Sequence, residues 1–206
     1  MEMYLAAGVV FGLSAGLSPG PLLALVLAET LRHGFRAGAL AALAPLATDL
    51  PIVALTLFLV VEVAGTNLAL GMISLAGVVF LACLGYETFT STSPPDVDGD
   101  EEPRSLGKGI VTNFLSPHPY LFWMTVGSPM AVRAWSEGPP RAVLFVAGFY
   151  VFLVGSKVVL AALVDRGRHL MAGRAYRLCM RGLGILLWLF ALLLAFDAVR
   201  LLGGRG

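Results

Sequence analysis

Charged residues are scarce in this sequence. Asp, Glu, Lys and Arg together make up 13% of the 206 residues, whereas a soluble domain carries about 25%. Hydrophobic residues make up 58%, and the mean hydropathy is +0.85. A chain with so few charges lacks the polar side chains that cover a water-facing surface. The composition therefore excludes an ordinary soluble domain and predicts a membrane protein.

Cysteine and histidine are also too few for most metal or redox chemistry. The two cysteines, Cys83 and Cys179, do not form a CxxC pair. The three histidines lie far apart: His33, His118 and His169. Neither a disulfide framework nor a sequence-local metal site is predicted, and the enzyme motifs of hydrolases, P-loop proteins, zinc proteases and Rossmann domains are missing. With a net charge of only +1, we expect a protein that is not an enzyme and that binds no cofactor, metal or nucleic acid.

Long apolar runs fill the sequence instead. A spanning helix needs about 20 mainly apolar residues. Six segments reach that length: 3–31, 34–63, 68–89, 106–135, 141–164 and 182–202. They do not alternate polar and apolar residues as barrel strands do, and the first run lacks the basic residues that precede a secretory signal, so we expect it to be retained. The predicted fold class is an all-α integral membrane protein with about six transmembrane helices.

A polar stretch divides the six runs into two sets of three. Residues 90–105 include five acidic residues and three prolines, a composition that cannot bury a core. The predicted organisation is a first three-helix repeat at 1–89, an acidic cytoplasmic linker, and a second three-helix repeat at 106–206. Both repeats contain Leu-Ser-Pro-x-Pro in their first helix, at 17–21 and 115–119. Because three is odd, the second copy would enter the membrane upside down, which is the inverted-repeat plan of many secondary transporters.

The distribution of Lys and Arg predicts the orientation of the chain. With six spans, the loops after the first, third and fifth helices contain nine basic residues, and the opposite side contains four. The positive-inside rule places the more basic side in the cytoplasm. We therefore expect a multi-pass protein of the plasma membrane with both termini outside. The basic loop 165–181 would lie on the anionic headgroups of the cytoplasmic leaflet.

Prolines interrupt the first run of each half. Proline lacks an N–H group and breaks a helix, and broken backbone inside a membrane persists where it lines a cavity. The free N–H groups at the start of the following half-helix form an anion site. A single break is explained by a packing kink, but two breaks at matched positions favour a substrate site. The candidate substrate-binding residues are Ser18, Pro19, Gly20, Pro21, Asn113, Ser116, Pro117 and His118.

Charged side chains also lie in the middle of predicted spans. Asp49 is in the second run and Lys157 in the fifth, where an ionisable residue costs about 2.5–3.5 kcal/mol. If the repeats superpose, the two lie at similar depth and could form a static ion pair. Alternatively, Asp49 takes a proton or a substrate ammonium, and Lys157 holds it ionised when the site is empty. His118 is either a proton relay or a cap for the broken backbone, whereas Glu29 and Glu87, near helix ends, are predicted to be interfacial.

Small residues form stripes on the first two runs. One face of the first run has a glycine at every fourth position: Gly8, Gly12, Gly16 and Gly20. The second run has a shorter stripe: Gly34, Gly38 and Ala42. Such stripes let helices approach closely. We therefore expect tight packing of these helices, and a homodimer is compatible with the same feature.

Four short motifs are shared with one family of transporters. They are Gly-Leu-Ser-Pro-Gly-Pro at 16–21, the segment 31–38, Leu-Gly-Tyr at 84–86 and the segment 109–117. Together they resemble the LysE family of amino-acid exporters, which includes the lysine exporter and the homoserine/threonine (RhtB) branch. The resemblance covers essentially the whole chain. It implies about six helices, export from the cytoplasm, coupling to the proton motive force, and amino acids or similar small solutes as substrates.

The resemblance extends to individual positions. The residues that match the family's motifs are Pro19, Gly20, Pro21, Asp49 and Pro117. One departure stands out, because the second motif of the amino-acid exporters usually reads Asn-Pro-Lys, whereas this chain has Ser116, Pro117 and His118. The departure bears on the substrate more than on the fold.

The function predicted is a secondary transporter that exports amino acids or similar small zwitterionic solutes, by antiport with protons. The substrate carboxylate would meet the N–H groups after Gly20 or His118, and Lys157 would disfavour a dicationic substrate. Three alternatives stay open. A divalent-cation exporter of the same superfamily would need several acidic or histidine ligands in its core, and a membrane redox relay would need cysteines where Ser18 and Ser116 stand. A structural membrane subunit would have no need for charged residues such as Asp49 and Lys157 inside its spans.

Overall fold

The computed structural model describes residues 2–61, 66–91, 104–168 and 173–203. No strand occurs among these residues, and almost all of them are helical. The α-helices are α1 Glu2–Leu17, α2 Pro21–His33, α3 Phe35–Ala42, α4 Ala44–Val61, α5 Thr66–Thr90, α6 Ser105–Phe114, α7 Pro117–Phe122, α8 Ser128–Ser136, α9 Pro139–Arg168 and α10 Arg174–Leu202. A short π-helix, Trp123–Gly127, joins α7 to α8. The all-α prediction is confirmed, whereas most of the predicted linker (92–103) and part of the basic loop (169–172) lie outside the described residues.

Several of these helices match the length and composition of membrane spans. In the part of the chain that the structure describes, three segments qualify by themselves: Phe35–Val53, Pro139–Gly167 and Arg174–Leu202. Helices α1 and α2 together make a fourth candidate span. The predicted third span contains the shorter apolar helix Ser74–Thr90, and the predicted fourth span is divided into α6, α7, the π-helix and α8. The chain is therefore a multi-pass membrane protein, and the third and fourth of the six predicted spans stay a prediction.

The first break lies where the prolines predict it. Helix α1 ends at Leu17 and α2 begins at Pro21, with a bend of 63° between them. Pro21 occupies the first helical position, where a missing N–H group costs nothing. Gly20 precedes it in an extended conformation, with φ −159° and ψ 173°. Because Pro19 and Pro21 both lack an N–H group, a continuous helix cannot run through this segment.

The second break is also confirmed. Helix α6 ends at Phe114 and α7 begins at Pro117, which again takes the first helical position. Ser116 before it is extended, with φ −92° and ψ 133°. The π-helix that follows α7 adds a residue to the helical turn. The first helix of each predicted repeat is therefore broken at its Pro-x-Pro motif.

Helices α1 and α9 pack with their backbones in contact. A Cβ atom at Gly12 would overlap the carbonyl oxygen of Phe149, and Gly8 and Gly16 face carbonyl groups of α9 in the same way. The expected close packing is confirmed for these three glycines. Gly20 is an exception, because it lies in the break and a Cβ there would meet no described atom of another helix within 4 Å.

Most of the large helix contacts join the first half of the chain to the second. Helix α1 packs along α9, α5 along α10, and α6 against α3 and α4. Residues of α2, α5 and α10 share one core cluster: Ala24, Leu25, Leu81, Leu84, Leu187, Ala191 and Leu194. Each half therefore buries its apolar surface against the other. The inverted relation of the two halves stays a prediction.

The N-terminal end of α1 is hydrogen-bonded to the turn between α8 and α9. The Tyr4 hydroxyl donates a hydrogen bond of 2.6 Å to Glu137, in the turn before α9. This hydrogen bond, together with the nearby Arg141 and Arg133, lowers the pKa of the Glu137 carboxyl. A carboxyl with a lowered pKa stabilises the folded state above its usual pKa range, so this contact persists at neutral pH and weakens as the pH falls into the acid range.

The end of α2 requires one correction to the sequence prediction. Glu87 is partly exposed, as expected of an interfacial residue, but Glu29 is only 1% exposed. Ser105 and Lys108 of α6 cover Glu29 and donate hydrogen bonds to its carboxylate. Helix α6, which covers Glu29, comes from the other half of the chain. Its position could not be inferred from the sequence around Glu29, which therefore indicated an interfacial residue. The turn that follows α2 needs a glycine, since Gly34 has a φ of 88°.

Candidate functional site

A cavity of about 370 Å³ lies between the two breaks. Both broken segments line it, together with parts of α1, α4, α6, α9 and the π-helix. Nine of the ten residues predicted from the sequence are among its lining residues: Ser18, Pro19, Gly20, Pro21, Asp49, Asn113, Ser116, His118 and Lys157. The tenth, Pro117, is buried and starts α7 without lining the cavity. The two Pro-x-Pro motifs, almost 100 residues apart in the sequence, therefore meet at one site.

Asp49 is held by three donors from three different elements. Its carboxylate accepts hydrogen bonds from Asn113 of α6 at 3.2 Å, Trp123 of the π-helix at 3.2 Å, and Tyr150 of α9 at 3.0 Å. Asp49 is 3% exposed. A buried carboxylate without such donors would pay a large desolvation penalty. The donors therefore make it possible for Asp49 to stay ionised beside the cavity.

Two of these donors were missed by the sequence analysis. Trp123 and Tyr150 each combine an apolar ring with one polar atom, and both lie in long apolar runs. Such side chains usually find a hydrogen-bond partner when buried, and this requirement is the signal that could have identified them. Asn113 was predicted to bind substrate, but its amide is already engaged, since it also donates to Thr48 at 2.6 Å. In this structure Asn113 therefore orients the Asp49 carboxylate by donating a hydrogen bond to it.

Lys157 is bound by the first break and not by Asp49. Its ammonium donates to the carbonyl oxygens of Ala15 at 3.2 Å and Gly16 at 3.1 Å. These carbonyls belong to the last turn of α1, whose acceptors have no partner within the helix and carry the negative end of the helix dipole. Lys157, which is 3% exposed, therefore caps the C-terminal end of α1.

The static ion pair between Asp49 and Lys157, one of the two alternatives left open by the sequence, is not formed. The ion pairs found among the described residues do not include one between these two. Both side chains nevertheless line the same cavity. The reason for the difference is that the break leaves free carbonyl groups closer to Lys157 than Asp49 is, and these acceptors could not be placed from the sequence.

The two half-helices that follow the breaks are not equivalent as anion sites. Helix α2 has free N–H groups at Leu22 and Leu23, because the first turn of a helix has no internal acceptors, and both residues line the cavity. Helix α7 has prolines at 117 and 119, which leaves His118 as the single N–H donor of its first three residues. The α2 end is therefore the stronger site for a negative group.

Aromatic rings form one wall of the cavity. Phe122 stacks on Phe149 with ring centroids 4.8 Å apart, and Phe11 meets Phe122 edge-on at 6.3 Å. Trp123 packs edge-on against Phe149 at 5.7 Å. All four rings line the cavity. The site thus combines one apolar wall with one anion, one cation and one open helix N-terminus.

Comparison with known proteins identifies the family. The family model of the LysE type translocator matches residues 13–198, which is most of the chain and includes every residue that lines the cavity except Phe11. The chain belongs to the LysE type translocator family. As a translocator it is a membrane transport protein and not an enzyme. The resemblance noted in the sequence is confirmed.

A curated relative extends the comparison over nearly the full chain. The chain is similar to the chemotactic transduction protein ChpE of Pseudomonas aeruginosa, with 28% identity over 198 residues, covering 91% of this chain and 94% of the relative. No solved structure matches the chain. In this LysE type translocator, four of the five family-matched positions line the cavity: Pro19, Gly20, Pro21 and Asp49.

Proposed function

We propose that this LysE type translocator exports amino acids or similar small zwitterionic solutes from the cytoplasm, in exchange for protons. The observation that carries the proposal is that Asp49 and the open N-terminus of α2 line one cavity beside the break. A zwitterion presents one cationic and one anionic group within a few bonds. The cavity offers a partner of opposite sign for each.

The substrate carboxylate binds at the N-terminal end of α2. The free N–H groups of Leu22 and Leu23 point along the helix axis toward the break, where the positive end of the helix dipole lies. Ser116 supports this placement, because it lines the cavity and its hydroxyl could donate a hydrogen bond to a bound carboxylate.

The substrate ammonium binds Asp49, and a proton competes with it for the same carboxylate. In the proposed cycle, Asp49 is ionised when the substrate enters from the cytoplasm. A proton that reaches Asp49 from outside neutralises it and releases the ammonium, and the protonated carrier then returns. One group that holds either ligand but not both is sufficient to couple their movements in opposite directions. His118, exposed to the cavity, is proposed to relay that proton.

The apolar wall favours substrates with apolar side chains. Once the carboxylate and ammonium are placed, the remaining surface of the cavity is formed largely by Phe11, Phe122 and Phe149. The remaining charge is Lys157, which repels a second positive charge on the substrate. We therefore propose neutral amino acids as the main substrates and not dibasic ones. We also propose that the protein lies in the plasma membrane as a homodimer. Both termini would be outside and the basic loop 165–181 in the cytoplasm.

Proton flux in proteoliposomes containing the purified protein alone tests this proposal. Vesicles are loaded with a pH-sensitive dye and exposed to a panel of amino acids and divalent metal ions. We expect proton movement driven by neutral amino acids, and a smaller response to lysine. Flux with a metal ion but with no amino acid would replace the proposal with the cation-exporter alternative. A signalling role of the kind that the name of ChpE mentions predicts no flux with any solute.

Replacing Lys157 by methionine is expected to admit dibasic substrates. A unit charge about 6 Å away at an effective dielectric constant of about 20 contributes about 2.8 kcal/mol, which is on the order of 100-fold in binding. The ratio of lysine to leucine transport should therefore rise by up to that factor in Lys157→Met. Lys157→Arg, which keeps the charge, is the matched control. Equal ratios in wild type and Lys157→Met would show that Lys157 does not select the substrate.

A further inference from the structure

A cluster of five polar side chains joins α2, α5 and α6 beyond one end of the cavity. Lys108 donates to Glu29 at 3.2 Å and to Glu87 at 2.8 Å, so one ammonium bridges carboxylates from two helices. Arg32 donates to the same Glu87 at 2.6 Å, and the Ser105 hydroxyl donates to Glu29. Two acids and two bases balance each other. We call these five residues the Lys108 cluster.

Helices α2 and α6 both run from the cavity to this cluster. Pro21 lines the cavity, and Glu29 lies eight residues later on α2, about 12 Å along the helix axis. Asn113 lines the cavity at the other end of α6, and Lys108 lies five residues before it, about 7.5 Å away. The Lys108 cluster therefore ties together the far ends of two helices whose near ends form the site.

An ion-pair cluster is suited to a contact between helices that forms and separates repeatedly. An apolar plug would expose hydrophobic surface to water whenever it opened, whereas paired charges are satisfied by each other when dry and by water when apart. The net energy of a buried ion pair is small because desolvation offsets attraction. Removing one partner is different, because it leaves a buried charge uncompensated. Because Glu29 is the fully buried charged member, the closed arrangement depends most on its contact with Lys108.

The cluster also contains one donor that the closed arrangement leaves unsatisfied. The Nε atom of Arg32 is buried without a hydrogen-bond partner among the described residues. Such a group is costly when dry, and hydration would satisfy it. Hydration of this donor therefore offsets part of the cost of opening the cluster.

Helix α6 connects this cluster to the carboxylate at the site. The Asn113 amide donates to Asp49 and to Thr48 at one end of α6, and Ser105 and Lys108 hold Glu29 at the other end. A movement of α6 away from α2 would break the contacts with Glu29 and shift the donor of Asp49 together.

We propose that the Lys108 cluster is a gate that closes the cavity toward the Arg32 side of the membrane, with Lys108 and Glu29 as its positioning residues. Opening separates α6 from α2, hydrates the four charges and moves Asn113 relative to Asp49. This inference goes beyond the proposed function, because a gate of this kind would operate whatever solute the cavity holds.

Thiol labelling of a cavity residue tests the gate without any substrate. Ser14, which is exposed to the cavity on α1, is replaced by cysteine in a Cys83→Ser, Cys179→Ser background. A membrane-impermeant thiol reagent is then applied to right-side-out or inside-out vesicles. In Lys108→Met and in Glu29→Gln, we expect labelling from the Arg32 side to become at least about tenfold faster, because a buried partner is lost. Labelling from the other side should not rise.

Control variants separate a gate from a contact that only stabilises the fold. Arg36→Met removes an exposed cation nearby and should leave labelling unchanged. Lys108→Arg, which keeps the cation between Glu29 and Glu87, should keep labelling slow. Where Lys108→Met yields too little folded protein, Glu87→Gln at the partly exposed edge of the cluster replaces it, with a smaller rise in labelling expected. Unchanged labelling in Lys108→Met, Glu29→Gln and Glu87→Gln, or a rise on both sides, overturns the gate. Because no transport is measured, a failed flux assay and a failed gate are distinguishable.

Discussion

Replacing Asp49 by asparagine is expected to abolish substrate-driven proton movement. An amide neither takes up a proton in the physiological range nor carries the charge that pairs with a substrate ammonium. Loss of a hydrogen bond to a charged group costs about 1.5–3 kcal/mol, and each 1.4 kcal/mol is about tenfold in affinity. Substrate binding should therefore weaken by at least about tenfold, while coupling disappears altogether. Proton flux and equilibrium substrate binding, measured on the same preparation, separate the two effects.

The surroundings of Asp49 supply a matched control. Tyr150→Phe removes one donor, at 3.0 Å from the carboxylate, and leaves the charge in place. A hydrogen bond to a charged group contributes about 1.5–3 kcal/mol, but the carboxylate keeps its charge and its other two donors, so this variant should bind less tightly and still couple protons to substrate. Since asparagine has the same size as aspartate, the thermal stability of both variants in detergent shows whether the fold persists. Wild-type proton coupling in a folded Asp49→Asn protein would remove Asp49 from the mechanism.

The positions of the helix breaks could be predicted because their cause is local. Pro19 and Pro21 lack N–H groups wherever they stand, and the same holds for Pro117 and Pro119, so both interruptions follow from the sequence. The charge at Asp49 could also be recognised, since an acid inside an apolar run is costly in any fold. These features needed no knowledge of which helices are neighbours.

The partners of the charged groups could not be predicted, because they depend on tertiary packing. A pairing of Lys157 with Asp49 was considered, but Lys157 binds the carbonyls of Ala15 and Gly16, which become free acceptors at the end of α1. Glu29 was placed at an interface but is covered by α6. Both corrections involve contacts between residues more than 70 positions apart. Sequence patterns within one helix contain no information about such neighbours.

The two helix ends that meet at the first break therefore have different roles. The C-terminal end of α1 is capped by Lys157, whereas the N-terminal end of α2 opens into the cavity with free donors. A cation therefore lies at the negative end of one half-helix in this structure, and in the proposed cycle the positive end of the next binds the substrate carboxylate. This arrangement depends on α1 lying directly against α9, which carries Lys157.

Replacing Gly12 by alanine is expected to disrupt that contact and to destabilise the protein strongly. A Cβ at Gly12 would overlap the carbonyl oxygen of Phe149 and lie 3.1 Å from its carbonyl carbon and Cα. These are backbone atoms of α9, so no side-chain rotation relieves the clash and the two helices must move apart. Alanine favours a helix over glycine by about 1 kcal/mol, but overpacking costs about 1–3 kcal/mol or more. The overpacking cost exceeds the gain in helix propensity because the backbone of α9 at Phe149 cannot move aside as a side chain could.

Gly155 of α9 provides the control with the opposite sign. A Cβ there would meet nothing within 4 Å among the described residues, so Gly155→Ala gains helix propensity without a clash and should leave stability unchanged or raise it. Thermal unfolding in detergent, followed by size-exclusion chromatography, compares the two variants. We expect Gly12→Ala to melt below the wild type and Gly155→Ala to melt at or above it. Because Lys157 and Phe149 lie on the same helix, Gly12→Ala should also lower transport at temperatures where it remains folded. An equal melting temperature in the two alanine variants would mean that α1 and α9 are not held by backbone contact.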